Sequence, residues 1–172
     1  MDTNPLNLVT LSVIGCLGLG ACQQIDDFVG QFHQTGAQTL NPGRKLIQLP
    51  DDVWNAEDCE TRSLPYLRVD DSRVTPKTVK PGEKVVYTLT YTSCVPHQPG
   101  YILGTFDTAV YADRRLQTHR SDESYPVETG QWVVNTAINV PENATPGLYN
   151  VVAKIRAYDV LVEDKISFNV AP

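Results

Sequence analysis

Four stretches of the chain alternate apolar and polar residues with the period of two expected of a strand that buries one face. From Lys84 to Thr92, Val85, Tyr87, Leu89 and Tyr91 fall on one side and Thr88, Thr90 and Thr92 on the other. From Gln131 to Val140 the inward set is Trp132, Val134, Thr136, Ile138 and Val140. Tyr149, Val151, Ala153, Ile155 and Ala157 repeat the pattern, and Ile166, Phe168 and Val170 do so again, with Lys165, Ser167 and Asn169 outward. Two weaker segments join them. Leu67 to Val69 opens a first strand that continues through Val74 and Val79, and Ile102 to Ala112 carries Phe106, Thr108 and Val110 on one face. Asp113-Arg114-Arg115 reads as a hairpin tip, Leu116 to His119 as a short return strand, and the polar run Arg120 to Glu128 as loop. Proline and glycine punctuate the gaps at Pro81-Gly82, Pro96 to Gly100 and Pro141 to Gly147. About seven short strands with regular turn signals predict an all-β fold, a single antiparallel β-sandwich.

Composition supports this pattern and narrows the chemistry. The chain has 172 residues, 41% of them hydrophobic, enough for one domain with a packed core. Twelve prolines and eleven glycines suit many turns. The formal net charge of -6 excludes nonspecific nucleic-acid binding, which needs a basic footprint.

The N-terminus follows a different pattern. Leu6, Leu8, Val9, Leu11, Val13, Ile14, Leu17 and Leu19 are interleaved with Gly15, Gly18 and Gly20. This run is short for a membrane span, which needs about 20 apolar residues, and suits a signal-peptide core. It ends in Leu19-Gly20-Ala21-Cys22, which resembles the lipobox of bacterial lipoproteins at all four positions. The resemblance implies cleavage before Cys22, a diacylglycerol thioether on its sulfur and an acylated amino group. Several acyl chains anchor stably where one binds only marginally. Val13-Ile14-Gly15-Cys16 is a second candidate with a very short apolar core, and the opening Met1-Asp2-Thr3-Asn4 lacks the Lys or Arg of an ordinary leader. The alternative is a buried strand or short anchor that contains a cysteine. Gln23, rather than Asp, after the lipidated cysteine implies the cell outer membrane; in a Gram-positive cell the same signal implies the outer face of the plasma membrane. The expected organisation is a signal peptide over 1–21, the lipidated cysteine and a linker or lead-in over 22–58, and the sandwich over 59–172. Within the lead-in, Leu46, Ile47, Leu49, Val53 and Trp54 are apolar for a free tether and are expected to pack on the domain.

If the body is exported, Cys59 and Cys94 are the one pair that can form a disulfide inside it, stapling the lead-in to the end of a strand. The alternative is two unpaired cysteines. Gly147-Leu148-Tyr149-Asn150-Val151, after a proline-rich corner, resembles the tyrosine corner of immunoglobulin-like sandwiches. With Pro81-Gly82-Glu83 ahead of an alternating strand, it is similar to the bacterial immunoglobulin-like and fibronectin type III-like domains of envelope proteins. That resemblance covers roughly 64–170. It implies an immunoglobulin-like fold in which the Tyr149 hydroxyl bonds a backbone carbonyl upstream. Trp132 is then a core residue, or else a ligand platform.

No constellation of catalytic or metal-binding residues emerges. His33, His97 and His119 are far apart, with no HxH or HExxH spacing, and the chain has no haem-attachment motif, phosphate-binding glycine loop or Gly-x-Ser-x-Gly turn. Asp70-Asp71-Ser72 reads as a solvated turn without the remaining ligands for calcium. No catalytic residue, cofactor or metal is therefore expected. Arg114, Arg115, His119 and Arg120 crowd one hairpin of an acidic protein. They form either a docking patch for an acidic partner or a charged edge that prevents strand-to-strand aggregation. The proline-rich loop Val95 to Tyr101 is a second contact candidate, since a rigid loop loses little entropy on binding. The function implied is a membrane-anchored, noncatalytic binding or assembly subunit of a cell-envelope complex. Its partners would be membrane lipid, through acylated Cys22, and an envelope protein. The alternative is a stand-alone surface adhesive or ligand-binding module.

Overall fold

The alternating stretches all become strands. The computed structural model describes residues 43–172, so the lipobox, Cys22 and the tether up to residue 42 lie outside the described residues. The described elements are β1 (Gly43–Gln48), α1 (Pro50–Ala56), β2 (Tyr66–Thr75), β3 (Thr78–Val79), β4 (Lys84–Cys94), β5 (Tyr101–Ala112), β6 (Arg115–Glu128), β7 (Gly130–Asn139), β8 (Gly147–Ala157) and β9 (Val160–Val170). Nine strands replace the expected seven or so. They lie in two sheets, one ordered β1-β7-β4-β2 and the other β3-β9-β8-β5-β6. All pairs are antiparallel except β3 with β9, where Thr78 pairs Asn169 and Val79 pairs Val170. The chain thus leaves one sheet after β2 and rejoins the other as β3.

This order is that of an immunoglobulin-like sandwich. β2, β4 and β7 stand as its strands A, B and E, and β5, β6, β8 and β9 as C, C′, F and G. The place of strand D, beside β7, is taken by β1. The lead-in is therefore part of the sheet from Gly43 onward, and the sandwich begins before the boundary at residue 59 that the sequence suggests. The small clearance over Gly130 makes room for β1. A Cβ on Gly130 would approach Leu46 Cδ1 to 2.7 Å, and its φ of +140° suits glycine.

The core lies where the alternation puts it. Val85, Tyr87, Leu89 and Tyr91 of β4 are at most 1% exposed, and they face Val151, Ala153 and Ile155 of β8, which are equally buried. Phe106, Val134, Phe168 and Val170 complete the dry layer. Each valine, leucine, isoleucine or phenylalanine among them contributes about 1.5–3 kcal/mol by leaving water. The buried tyrosine hydroxyls of the layer find partners: Tyr91 and Tyr125 meet at 3.0 Å, and Tyr87 donates to Asp164 at 2.9 Å. Tyr149 forms the corner its sequence suggests, its hydroxyl donating to the Thr145 carbonyl at 3.0 Å while its ring stacks on Phe168.

Two other expectations change. Arg120 to Glu128 is not a loop; β6 runs unbroken for 14 residues. Asp70-Asp71-Ser72 is not a turn but a bulge within β2, between Val69 and Asp71.

A Cβ on Gly104 would collide with the Arg156 carbonyl of β8. Gly104→Ala is expected to destabilise the fold by about 3 kcal/mol. Gly43→Ala, with nothing within 4 Å, should change stability little. Urea denaturation of both variants checks this, and equal midpoints would refute the close-packing argument.

Candidate functional site

The lead-in builds a site at one pole of the sandwich. Pro50 starts α1 as helices commonly start, with Asp51 and Asp52 in the first turn, and Val53 is its buried residue. Asp58, at a left-handed φ of 51°, turns the chain out of the helix into Cys59. Cys59 is fully buried and bonded to Cys94, the last residue of β4. This closes a sequence separation of 35 residues. On the chain-entropy account, a loop of this length stabilises the fold by about 4 kcal/mol.

The staple holds α1 against the loop that follows β4. Trp54 stacks on His97, with ring centroids 3.9 Å apart. Thr129, between β6 and β7, pins the same loop by accepting from the Val95 amide at 3.0 Å. Between these parts lies a half-open cleft of about 360 Å³, lined by Leu46, Pro50, Pro96, His97, Glu128 and Trp132 among others. That volume is at the low end for small-molecule sites.

Arg44 lies behind Trp132 and Glu128, two of the lining residues. It pairs with Val134 on β7 and so turns inward, where its guanidinium lies 3.4 Å from the Trp132 ring centroid and 5.5 Å from that of Tyr125. Its Nη2 is 2.9 Å from the Glu128 carboxylate, while its Nε has no hydrogen-bond partner among the described residues. Burial pushes the Tyr91 and Tyr125 hydroxyls above the ordinary phenol value, so both stay neutral beside the cation. Trp132 is half-buried; its indole N–H donates to the Glu128 carbonyl at 3.0 Å and one face is covered by Arg44.

A polar network clamps the same lead-in from outside. Arg68 donates to both oxygens of Glu57 at 2.9 and 2.8 Å and to Asp70 at 2.7 Å. Asp70 also accepts from Thr92 at 2.6 Å and Gln131 at 2.9 Å. Burial raises the Asp70 pKa, but the hydrogen bonds from Thr92, Gln131 and Arg68 together outweigh it and hold the carboxyl below its ordinary value.

The four residues of the basic hairpin do not share one face. Asp113 and Arg114 form the two-residue tip, both with positive φ, 49° and 64°. His119 pairs Ala109 and lies 3.5 Å from Asp107 on the outer face. Arg120 pairs Thr108, a buried residue, and so turns toward the inner face, as Arg115 does opposite Ala112. Trp54 packs on the domain as its apolar character suggests, whereas Arg44 and Glu128 carry no mark in the sequence. The available signal was the alternation of Arg44 and Leu46 against Lys45 and Ile47. Among the described residues, no three His, Cys, Asp or Glu side chains gather as a metal site would require.

No protein-family model matches the chain, and no curated protein does. Several solved structures are similar in part. The alkylpurine DNA glycosylase AlkC of Pseudomonas fluorescens, bound to DNA with an abasic site analogue, aligns at 14% identity and a TM-score of 0.45, over 62% of this chain and 30% of that one. The sporulation control protein Spo0M of Bacillus subtilis aligns at 15% and 0.43, over 62% and 49%. A CARDB domain from Pyrococcus furiosus, in complex with di-metal ions, aligns at 19% and 0.39, over 64% and 96%. The chain thus spans half or less of the first two. None of these likenesses bears on activity.

Two expectations follow. Asp70 is held as a carboxylate in the fold, so its contribution to stability is complete above the unfolded value of about 4 and is lost as pH falls through its lower folded value. Asp70→Asn should therefore flatten the acid limb of a stability–pH profile; an unchanged limb would refute the network's role. Arg44→Ala should cost about 1–2 kcal/mol and shift Trp132 emission to the red in a Trp54→Phe background. Unaltered emission would contradict the stacking.

Proposed function

We propose that this protein is a membrane-anchored, noncatalytic lipoprotein that acts as a protein-binding or assembly subunit of a cell-envelope complex, held at the outer membrane through acylated Cys22. The observation that carries the reading is the conjunction of Leu19-Gly20-Ala21-Cys22 with a sandwich stapled by a disulfide. A lipobox implies export, and export supplies the oxidising compartment in which such a staple persists. The lipid would supply the location and the rigid sandwich the contact surface, through an edge strand or the disulfide-pinned loop.

A second reading, a stand-alone surface adhesive or ligand-binding module, is favoured by the exposed apolar residues Tyr101, Leu103, Tyr158 and Leu161 near the loop pole. Tyr158 is 68% exposed at the β8–β9 turn and holds a positive φ that bulky residues rarely adopt.

Growth with labelled palmitate tests the anchor. The wild-type protein should take up label and partition with outer membranes, and Cys22→Ala should do neither. Label on Cys22→Ala, or none on wild type, overturns the lipobox assignment. Protease treatment of intact cells then separates the two readings: protection of the body supports the assembly subunit, and cleavage supports the surface module.

A further inference from the structure

β6 is the outermost strand of the five-stranded sheet, and among the described residues only β5 lies beside it. Nearly every residue from Arg115 to Ser124 is exposed or half-exposed, and none is proline, so every amide N–H is present. Such an edge is a template for one more strand.

Its charges identify the strand that fits. Basic groups come first, at Arg114, Arg115, His119 and Arg120, and acidic groups follow at Asp122 and Glu123. This order runs against itself when the strand is reversed. In an antiparallel pair with Ser121 opposite Ser121, Arg120 lies opposite Asp122 and His119 opposite Glu123, and the two-fold axis repeats each pair. Moving the centre one residue either way places Arg120 opposite Arg120 or Asp122 opposite Asp122. Directly opposed opposite charges stabilise a sheet and like charges destabilise it. A parallel copy in register would align like with like throughout.

Arg120 supplies an independent observation. Its Nη2 is buried and has no hydrogen-bond partner among the described residues. Burial lowers its pKa, with Asp122 as the opposing charge. Asp122 directs one carboxylate oxygen to the Ser124 amide at 3.2 Å. A second Asp122 opposite Arg120 would supply the carboxylate that the guanidinium lacks.

We propose that β6 pairs antiparallel with β6 of a second copy, centred on Ser121, joining two five-stranded sheets into one continuous sheet across a two-fold axis. The inference does not depend on the lipid anchor. It also gives His119 and Arg120 a partner, the acidic half of the same strand, in place of an unrelated acidic surface.

The test uses the full chain in detergent. Ser121→Cys should oxidise to a covalent dimer, with position 121 linked to position 121 by mass spectrometry, because opposed residues in an antiparallel pair lie within disulfide reach. Thr118→Cys, whose two copies would sit six residues apart in register, should give no more dimer than wild type. In sedimentation experiments, Arg120→Asp should weaken self-association at least about tenfold, roughly what two opposed charge pairs contribute. Arg120→Asp combined with Asp122→Arg, which restores the complement, should recover it, and circular dichroism of both variants guards against misfolding. A full chain that stays monomeric at sub-millimolar concentration overturns the proposal. So does equal cross-linking at positions 118 and 121, or a double variant no better than the single one.

Discussion

A sheet that buries one face must commit every second side chain to it, and two sheets share a dry core only where their committed faces meet. β4 and β8 carry that constraint here. Tyr87, Leu89 and Tyr91 on one and Val151, Ala153 and Ile155 on the other leave no room for a polar residue out of phase. Large and small alternate across the gap, which is how a core reaches crystal-like density. The tyrosine hydroxyls lie at its margins, where Asp164 and Tyr125 satisfy them. Displacing β4 by one residue would turn Thr88 and Thr90 toward the core and Tyr87, Leu89 and Tyr91 away from it.

The rest of the molecule extends this core at one pole. β1 fills the place of strand D, coming from the chain before the domain rather than from within it. The disulfide, the Trp54–His97 stack and the Glu57–Arg68–Asp70 network then fasten the same lead-in at three points. Arg44 meets the interior there as a cation sandwiched by aromatic rings, a way of ending a core that neither exposes apolar surface nor leaves the charge unpaired. The result is a rigid end presenting proline, aromatic and carboxylate groups.

The sequence was legible where burial is one-sided. β7, β8 and β9 each expose one side and pack the other on the opposite sheet, and β4 alternates as clearly because the buried residues of its second face, Thr88 and Thr92, are polar. The Cys59–Cys94 pair was legible because the body contains no other cysteine. β6 was not: its first ten residues lie on an edge with little core above them, so apolar residues return only at Tyr125 and Val127. α1 is a helix of seven residues, too short to show a helical period, and its position depends on Val53 and the staple. The inward turn of Arg44 was masked by its charge. Asp70 looked like part of a turn because the β2 bulge interrupts alternation there.

In the proposed role, the sandwich is tethered to a membrane and its edges and pole are surfaces for other proteins. The most direct measurement is extraction of native membranes in mild detergent, affinity isolation of the protein and mass spectrometry of what accompanies it. The proposed role predicts an envelope protein in fixed stoichiometry with the chain. Recovery of the chain with no other protein, at every detergent mild enough to preserve known envelope complexes, would contradict it.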